Sequence, residues 1–287
     1  MNLKDQIEKY WTEQVSDFRA LDKPNWVTRK IQLHEKRGNE VVRITGKGNM
    51  FRQSEGNGEE SNIDYNLQVT FLIRHGDYFY HEEQQSKHQA LFYRGQLVED
   101  REVADVRDEE APTIEPFESS EMRNQARFTY DRRAAVQYAE RWWDDYNPEY
   151  KTFDVDCTNY ISQCVHAGGA PMRGMPNRSQ GWWYSGDNWS YSWAVAHSFR
   201  WYLSGSNQGL KGKELERPED LLLGDVICYD FEGDGRWNHT TIVVAKDTRG
   251  MPLVNAHTTN SRHRYWSYED SYAWTEDCQY KFFRIGE

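Results

Sequence analysis

The chain has 287 residues and a net charge of −11, with 46 acidic against 35 basic side chains. That balance argues against nonspecific binding to nucleic acid or to an anionic membrane surface. No stretch reaches the length of a membrane-spanning helix, and the charged, amphipathic start lacks the apolar core of a secretory signal. The expected location is the cytoplasm or a spore, or the exterior if a signal has been removed. The length admits two domains with real cores. The four cysteines, 157, 164, 228 and 278, include no Cys-x-x-Cys pair. Reduced thiols suit that count better than a disulfide framework.

In chain order, residues 1–100 read as a small α+β domain. One helix of about a dozen residues opens it. Strands follow in Gln32–Thr45, broken at Gly38-Asn39, then in the strict alternation of Ile63, Tyr65, Leu67, Val69, Phe71 and Ile73. Arg74 to Asp77 is a turn, Tyr78 begins the return, and Ala90–Arg94 continues it. The layout is a curved antiparallel sheet with one buried face, of NTF2-like or cystatin-like type. It holds no catalytic constellation. Residues 101–125 are acidic, contain Pro112 and Pro116, and read as a linker.

Residues 126–287 carry helices first and strands afterwards. Asp131 is placed to cap a helix with Ala134, Ala135, Tyr138, Ala139 and Trp142 as its stripe. A second helix carries Tyr160, Ile161, Cys164 and Val165 and stops at Gly168-Gly169. Cys157 falls at or just before its first turn. An aromatic loop with Trp182, Trp183, Tyr184 and Trp189 precedes a third helix over Ser192–Ser204. Leu221–Asp230 is a turn feeding a strand. His239–Ala245, Pro252–Thr258 and Gln279–Ile285 are further strands, and Leu253, Asn255 and His257 share one strand face. This is an α+β domain of helices packed on an antiparallel sheet.

A cysteine at a helix start has its thiolate favoured by the helix dipole and has free backbone N–H groups beside it. With a histidine on one strand and a polar residue on the next, the set comprises nucleophile, base and base-orienter. Tyr130–Ala139, Asp156-Cys-Thr-Asn-Tyr-Ile-Ser-Gln-Cys164, Gly224-Asp225, His239 and His257-Thr258 resemble the putative amidase domain family, related to the papain-like NlpC/P60 and CHAP cysteine peptidases. The resemblance covers about residues 126–287. It implies a papain-like domain that cleaves amide bonds, in peptides of cell-wall type, with Cys157 as nucleophile and His239 as base. A peptide or muropeptide is then the partner, and the reaction needs no cofactor.

Asn255 is the assigned orienter of His239, and His257 is the alternative. Asp156 either recognises a substrate amine or caps the helix. Trp182, Trp183, Tyr184 and Trp189 are candidates to line a cleft, as aromatic faces suit sugars and peptide stems. Asp230-Phe-Glu-Gly-Asp-Gly235 imitates half of a calcium loop, but Glu232 breaks the pattern and Thr241 stands where a bidentate Glu belongs. No histidine spacing matches a standard zinc motif, so no metal is expected. Two alternatives remain: a non-catalytic module that binds wall fragments, and an acyltransferase using the same Cys/His pair. Neither the bond cleaved nor the oligomeric state follows from the sequence.

Overall fold

A computed structural model describes residues 2–16, 26–56, 58–103 and 128–286. Most of the acidic segment read as a linker lies outside them. The chain divides into two compact units, Met1–Asp105 and Val106–Glu287. Each is α+β with an antiparallel sheet.

In the first unit, α1 (Leu3–Ser16) and α2 (Trp26–Lys36) precede β1 (Glu40–Glu55), β2 (Glu60–His75), β3 (Tyr78–Tyr93) and β4 (Gln96–Glu102). The strands pair antiparallel in chain order. Ile63, Tyr65, Leu67, Val69, Phe71 and Ile73 all point into the core, as their alternation requires, and meet Ile7, Val27 and Ile31 of the helices.

The expected strand from Gln32 is corrected. Residues 32–36 end α2, and the described residues of the unit hold two helices, not one. Val27, Lys30, Ile31 and His34 form the inward stripe of α2. Two of these four are polar, which hides the helical period from a hydrophobicity reading. They are buried because Glu82 of β3 receives both: Lys30 pairs with one carboxylate oxygen, and His34 Nε2 lies 3.1 Å from the other. A second buried network joins Ser86, His88, Asp100, Tyr65 and Trp11, tying α1 and β4 to the sheet. It lies mid-strand, where backbone N–H groups are engaged in the ladder rather than open to a ligand.

The second unit comprises α3 (Arg132–Trp142), α4 (Cys157–Ala167), the hairpin β5 (Tyr184–Ser185) and β6 (Asn188–Trp189), α5 (Tyr191–Ala194), α6 (Ala196–Gly205), then β7 (Gly212–Leu215), β8 (Val226–Asp230), β9 (His239–Lys246), β10 (Pro252–Ala256), β11 (Ser261–Tyr265) and β12 (Gln279–Ile285). The sheet order is β11-β10-β9-β8-β12-β7, antiparallel throughout. Asp131 caps α3 through Ala134 N at 3.0 Å, as its position suggests. The helix expected over residues 192–204 is two helices, because Val195 is extended (φ −116°, ψ 122°). One sheet face carries Ile242, Val244, Val226 and Cys228 against α3, α4 and α6. The other carries Ile227, Tyr229, Val243, Val254 and Ala256 beneath Tyr268.

Asp225 closes this unit. It is wholly buried, and burial pushes its carboxyl up despite its partners. Oδ1 accepts from Arg132 Nη1 (2.6 Å) and Ile285 N (3.0 Å); Oδ2 accepts from Leu222 N (2.7 Å) and Arg284 Nε (2.9 Å). It therefore joins α3, the turn before β8 and the end of β12. Asp225→Ala leaves the Leu222 and Ile285 N–H groups without their acceptor and should cost about 1–3 kcal/mol, read as a lowered urea midpoint.

Candidate active site

Helix α4 is buried along nine consecutive residues, Cys157 to Val165. Cys157 is its first residue and is 1% exposed. The thiol lies 3.7 Å from Thr158 Oγ1, and the Thr240 backbone and hydroxyl are near enough to favour its thiolate. Thr158 and Thr240 hydroxyls meet at 3.1 Å. The sulfur thus rests against the peptide nitrogen that joins His239 to Thr240. Burial pushes the thiol up; the threonine contacts pull it partly back, and the charge of Asp156 adds to the rise.

His239 opens β9 and is 5% exposed. Its ring stands among Phe231 (5.8 Å, near-parallel), Tyr229 (5.5 Å) and Tyr268 (5.0 Å). Burial, then the charge of Arg264, depress it to about 3. Its buried Nε2 has no hydrogen-bond partner among the described residues. A buried, unpaired ring nitrogen is uncommon unless it serves a ligand or a reaction. The strand alternates: Ile242 and Val244 face α4, whereas His239, Tyr229 and Val243 share the other face. Thr240, not the His239 ring, makes the contact with sulfur.

Neither expected orienter reaches that ring. Asn255 Nδ2 points at Ala139 O (3.4 Å) and Glu140 Oε1 (3.3 Å), and its Oδ1 accepts from His263 N (2.9 Å). His257 lies just past β10, stacked on Tyr160 at 3.9 Å. Its Nδ1 is 2.8 Å from Asp156 Oδ2, and its Nε2 is 2.6 Å from Trp142 O. Asn255 and His257 do face the same way, but toward α3 and α4. Val254 and Ala256 occupy the face that His239 uses.

Asp156 is corrected on its expected capping role. It is buried, like Cys157, and makes no side-chain cap. Oδ1 accepts from Phe153 N (3.0 Å) and Asn159 Nδ2 (2.9 Å), while Oδ2 faces His257. Its own N–H donates to Thr258 Oγ1 (3.0 Å). The first turn of α4 is left with its N–H groups uncapped by Asp156.

Trp182 and Trp183 have no exposed surface, so they do not line a cleft. Trp182 Nε1 donates to Ser162 Oγ, and Trp183 Nε1 to Asn177 O and Gln180 O. Tyr184 is half-buried, its hydroxyl accepting from Lys151 N. Trp189 is half-buried, with Phe153 edge-on at 4.8 Å and Lys151 and Arg178 over its ring. Asp230, first residue of the calcium-like loop, accepts from Gly233, Asp234 and Gly235 N–H groups and so shapes the loop itself. Among the described residues, no group of three or more His, Cys, Asp or Glu is arranged to hold a metal. Thr240 and Tyr268 escaped the sequence reading, and Thr258 entered it only as part of the His257-Thr258 motif.

The putative amidase domain family matches residues 129–283, just over half of the chain. The chain belongs to that family. This amidase-family chain is also 45% identical, over 278 residues, to the uncharacterized protein YhbB of Bacillus subtilis (strain 168), covering 95% of this chain and 88% of YhbB. A second uncharacterized protein of the same organism, YjcM, is 29% identical over 180 residues, 58% of this chain and 41% of YjcM. No solved structure matches. No described helix is long and apolar enough to cross a membrane.

The buried imidazole has a consequence for stability. An unfolded histidine titrates near pH 6.5, whereas folded His239 stays neutral down to about 3. Between those values only the unfolded chain binds the proton, so stability rises with pH across that window. The contribution is complete above about pH 6.5 and is lost as pH falls toward 3. His239→Gln should therefore show a urea midpoint less dependent on pH between 7 and 4 than the wild type.

Proposed function

We propose that this protein is a thiol-dependent amidase, with Cys157 as nucleophile and His239 as general base. One observation carries the reading. A cysteine sits at the uncapped start of a buried helix with its sulfur against the His239–Thr240 peptide. Family membership supplies the reaction class, amide-bond hydrolysis. A papain-like arrangement of the NlpC/P60 and CHAP type and a peptide of cell-wall type as substrate belong to the same proposal. So does action on free muropeptides in the cytoplasm or spore.

In the proposed reaction His239 takes the Cys157 proton and the thiolate attacks the amide carbonyl. The uncapped N–H groups of the first turn of α4 receive the oxyanion. His239 then protonates the leaving amine, and water releases the acyl group from sulfur. The resting pair is neutral on both sides, since burial raises the thiol and depresses the imidazole. The His239 ring rests on the sheet face away from α4, so transfer needs the start of β9 to rearrange as well as the ring to leave its aromatic box. Its Nε2 gives up no hydrogen bond in doing so.

The test is incubation with intact peptidoglycan and with free muropeptides, reading products by mass spectrometry. Cleavage at one amide bond is expected, with free carboxylate as product; a product joined to an added amine would mark acyl transfer instead. Cys157→Ala and His239→Ala should each lower turnover by at least on the order of 10³-fold, with folding retained. Wild-type turnover by Cys157→Ala, or no product from either substrate, would overturn the reading.

A further inference from the structure

We infer that the Asp156–His257 pair is a positioning device: it holds the Asp156 carboxylate away from the start of α4, keeping that start open beside Cys157. The inference rests on the thiol-dependent reading above and gives these two residues a role other than orienting His239.

Asp156 occupies the N-cap position, where an aspartate ordinarily accepts hydrogen bonds from the first-turn N–H groups. Here it accepts none of them. Four contacts hold it instead. Phe153 N and Asn159 Nδ2 take Oδ1, His257 Nδ1 takes Oδ2, and the Asp156 N–H goes to Thr258 Oγ1. Asn159, whose Oδ1 accepts from Trp193 Nε1 at 2.8 Å and whose Nδ2 also reaches Lys151 O, is itself fixed.

His257 is fixed just as firmly. It stacks on Tyr160 of α4, nearly parallel at 3.9 Å, with Tyr146 edge-on at 4.9 Å. Its second nitrogen meets Trp142 O. Thr258 and Thr259, which follow His257, are both left-handed (φ 60° each). Two successive threonines in that region are strained. The strain places the Thr258 hydroxyl under Asp156 N.

The consequence is chemical. A carboxylate swung onto the helix start would occupy the N–H groups that the proposed reaction leaves for an oxyanion. It would also set a negative charge beside sulfur, where Asp156 already disfavours the thiolate. His257 Nδ1 is the partner on Oδ2 that prevents this. Glu140 of α3 is engaged with Arg262 and His263.

The test uses the full chain and compares His257→Phe with the double variant Asp156→Ala/His257→Phe. Phenylalanine keeps a ring on Tyr160 but offers Asp156 no hydrogen bond. Iodoacetamide alkylation of Cys157 is followed by peptide mapping, with the half-exposed Cys278 as internal reference. In His257→Phe, alkylation should slow on the order of tenfold, as one unit of thiol shift requires. Muropeptide kcat should fall on the order of 10²-fold with KM little changed, as for one lost oxyanion donor. Removing the carboxylate in the double variant should restore most of both. A double variant as slow as or slower than His257→Phe, or a His257→Phe enzyme alkylated and turning over like wild type, overturns the inference. If His257→Phe does not fold, the same comparison with His257→Asn, whose amide still reaches toward Asp156, should leave alkylation unchanged; slowing there counts against it. Cys157→Ala separates the two ideas: full activity in that variant defeats the thiol-dependent reading, whereas an inactive Cys157→Ala beside a normal His257→Phe defeats this inference alone.

Discussion

Burial of α4 on every side is the constraint on which the second unit depends. A helix with no exposed face has to satisfy each of its polar side chains within the protein. Thr158 finds Thr240, and Asn159 finds Asp156, Lys151 and Trp193. Ser162 donates to Trp193 O and accepts from Trp182, and Gln163 accepts from the Tyr138 hydroxyl. The run Asp156-Cys-Thr-Asn-Tyr-Ile-Ser-Gln-Cys164 is thus a packing code around one thiol. Most of its residues serve to hold the helix against α3, α5, the aromatic loop and β9. Cys157 is the member whose polar atom has no such structural duty beyond contact with two threonines.

That logic explains what was legible in the sequence. Asp131 as cap, the α3 stripe, the α4 span and the Gln279–Ile285 strand all follow from local patterns, and the structure has them. The short strands β7 and β11 carry no such pattern: Gly212–Leu215 and Ser261–Tyr265 are mostly polar and pair because a neighbour is there. The α2 helix escaped for a related reason. Its inward stripe includes Lys30 and His34, whose burial depends on Glu82, some fifty residues away, so no local window reveals it. Trp182 and Trp183 resemble a binding surface by composition alone. Their indole N–H groups find buried acceptors, which turns a polar handle into a core fixture.

The candidate site was legible in its residues but not in its faces. Period-2 counting puts Asn255 and His257 together, and they are together. It cannot say which side of the sheet they take relative to His239 on the neighbouring strand. That choice is set by register: Val254 pairs with Val243 and Asn255 with Ile242. Asn255 therefore shares a face with Ile242, under the helices, whereas His239 shares one with Val243. Register is fixed by which side chains each face can bury, a property of the whole sheet. A base-orienter chosen from one strand alone had no access to it.

The placement of the charges completes the physical picture. Two ionised groups in a buried, dry site would each cost several kcal/mol before their attraction is counted. The Cys157 and His239 environments avoid that cost by keeping both neutral, the thiol raised and the imidazole depressed for the same reason. Asp156 is the one acid at the helix start, and it is matched to His257 rather than left to face sulfur. Charge separation in the proposed reaction therefore belongs after the substrate carbonyl has arrived. Only then does a developing oxyanion give the uncapped N–H groups of α4 something to stabilise. A thiol that stays neutral until its target is in place is also protected from adventitious oxidation, which attacks thiolates.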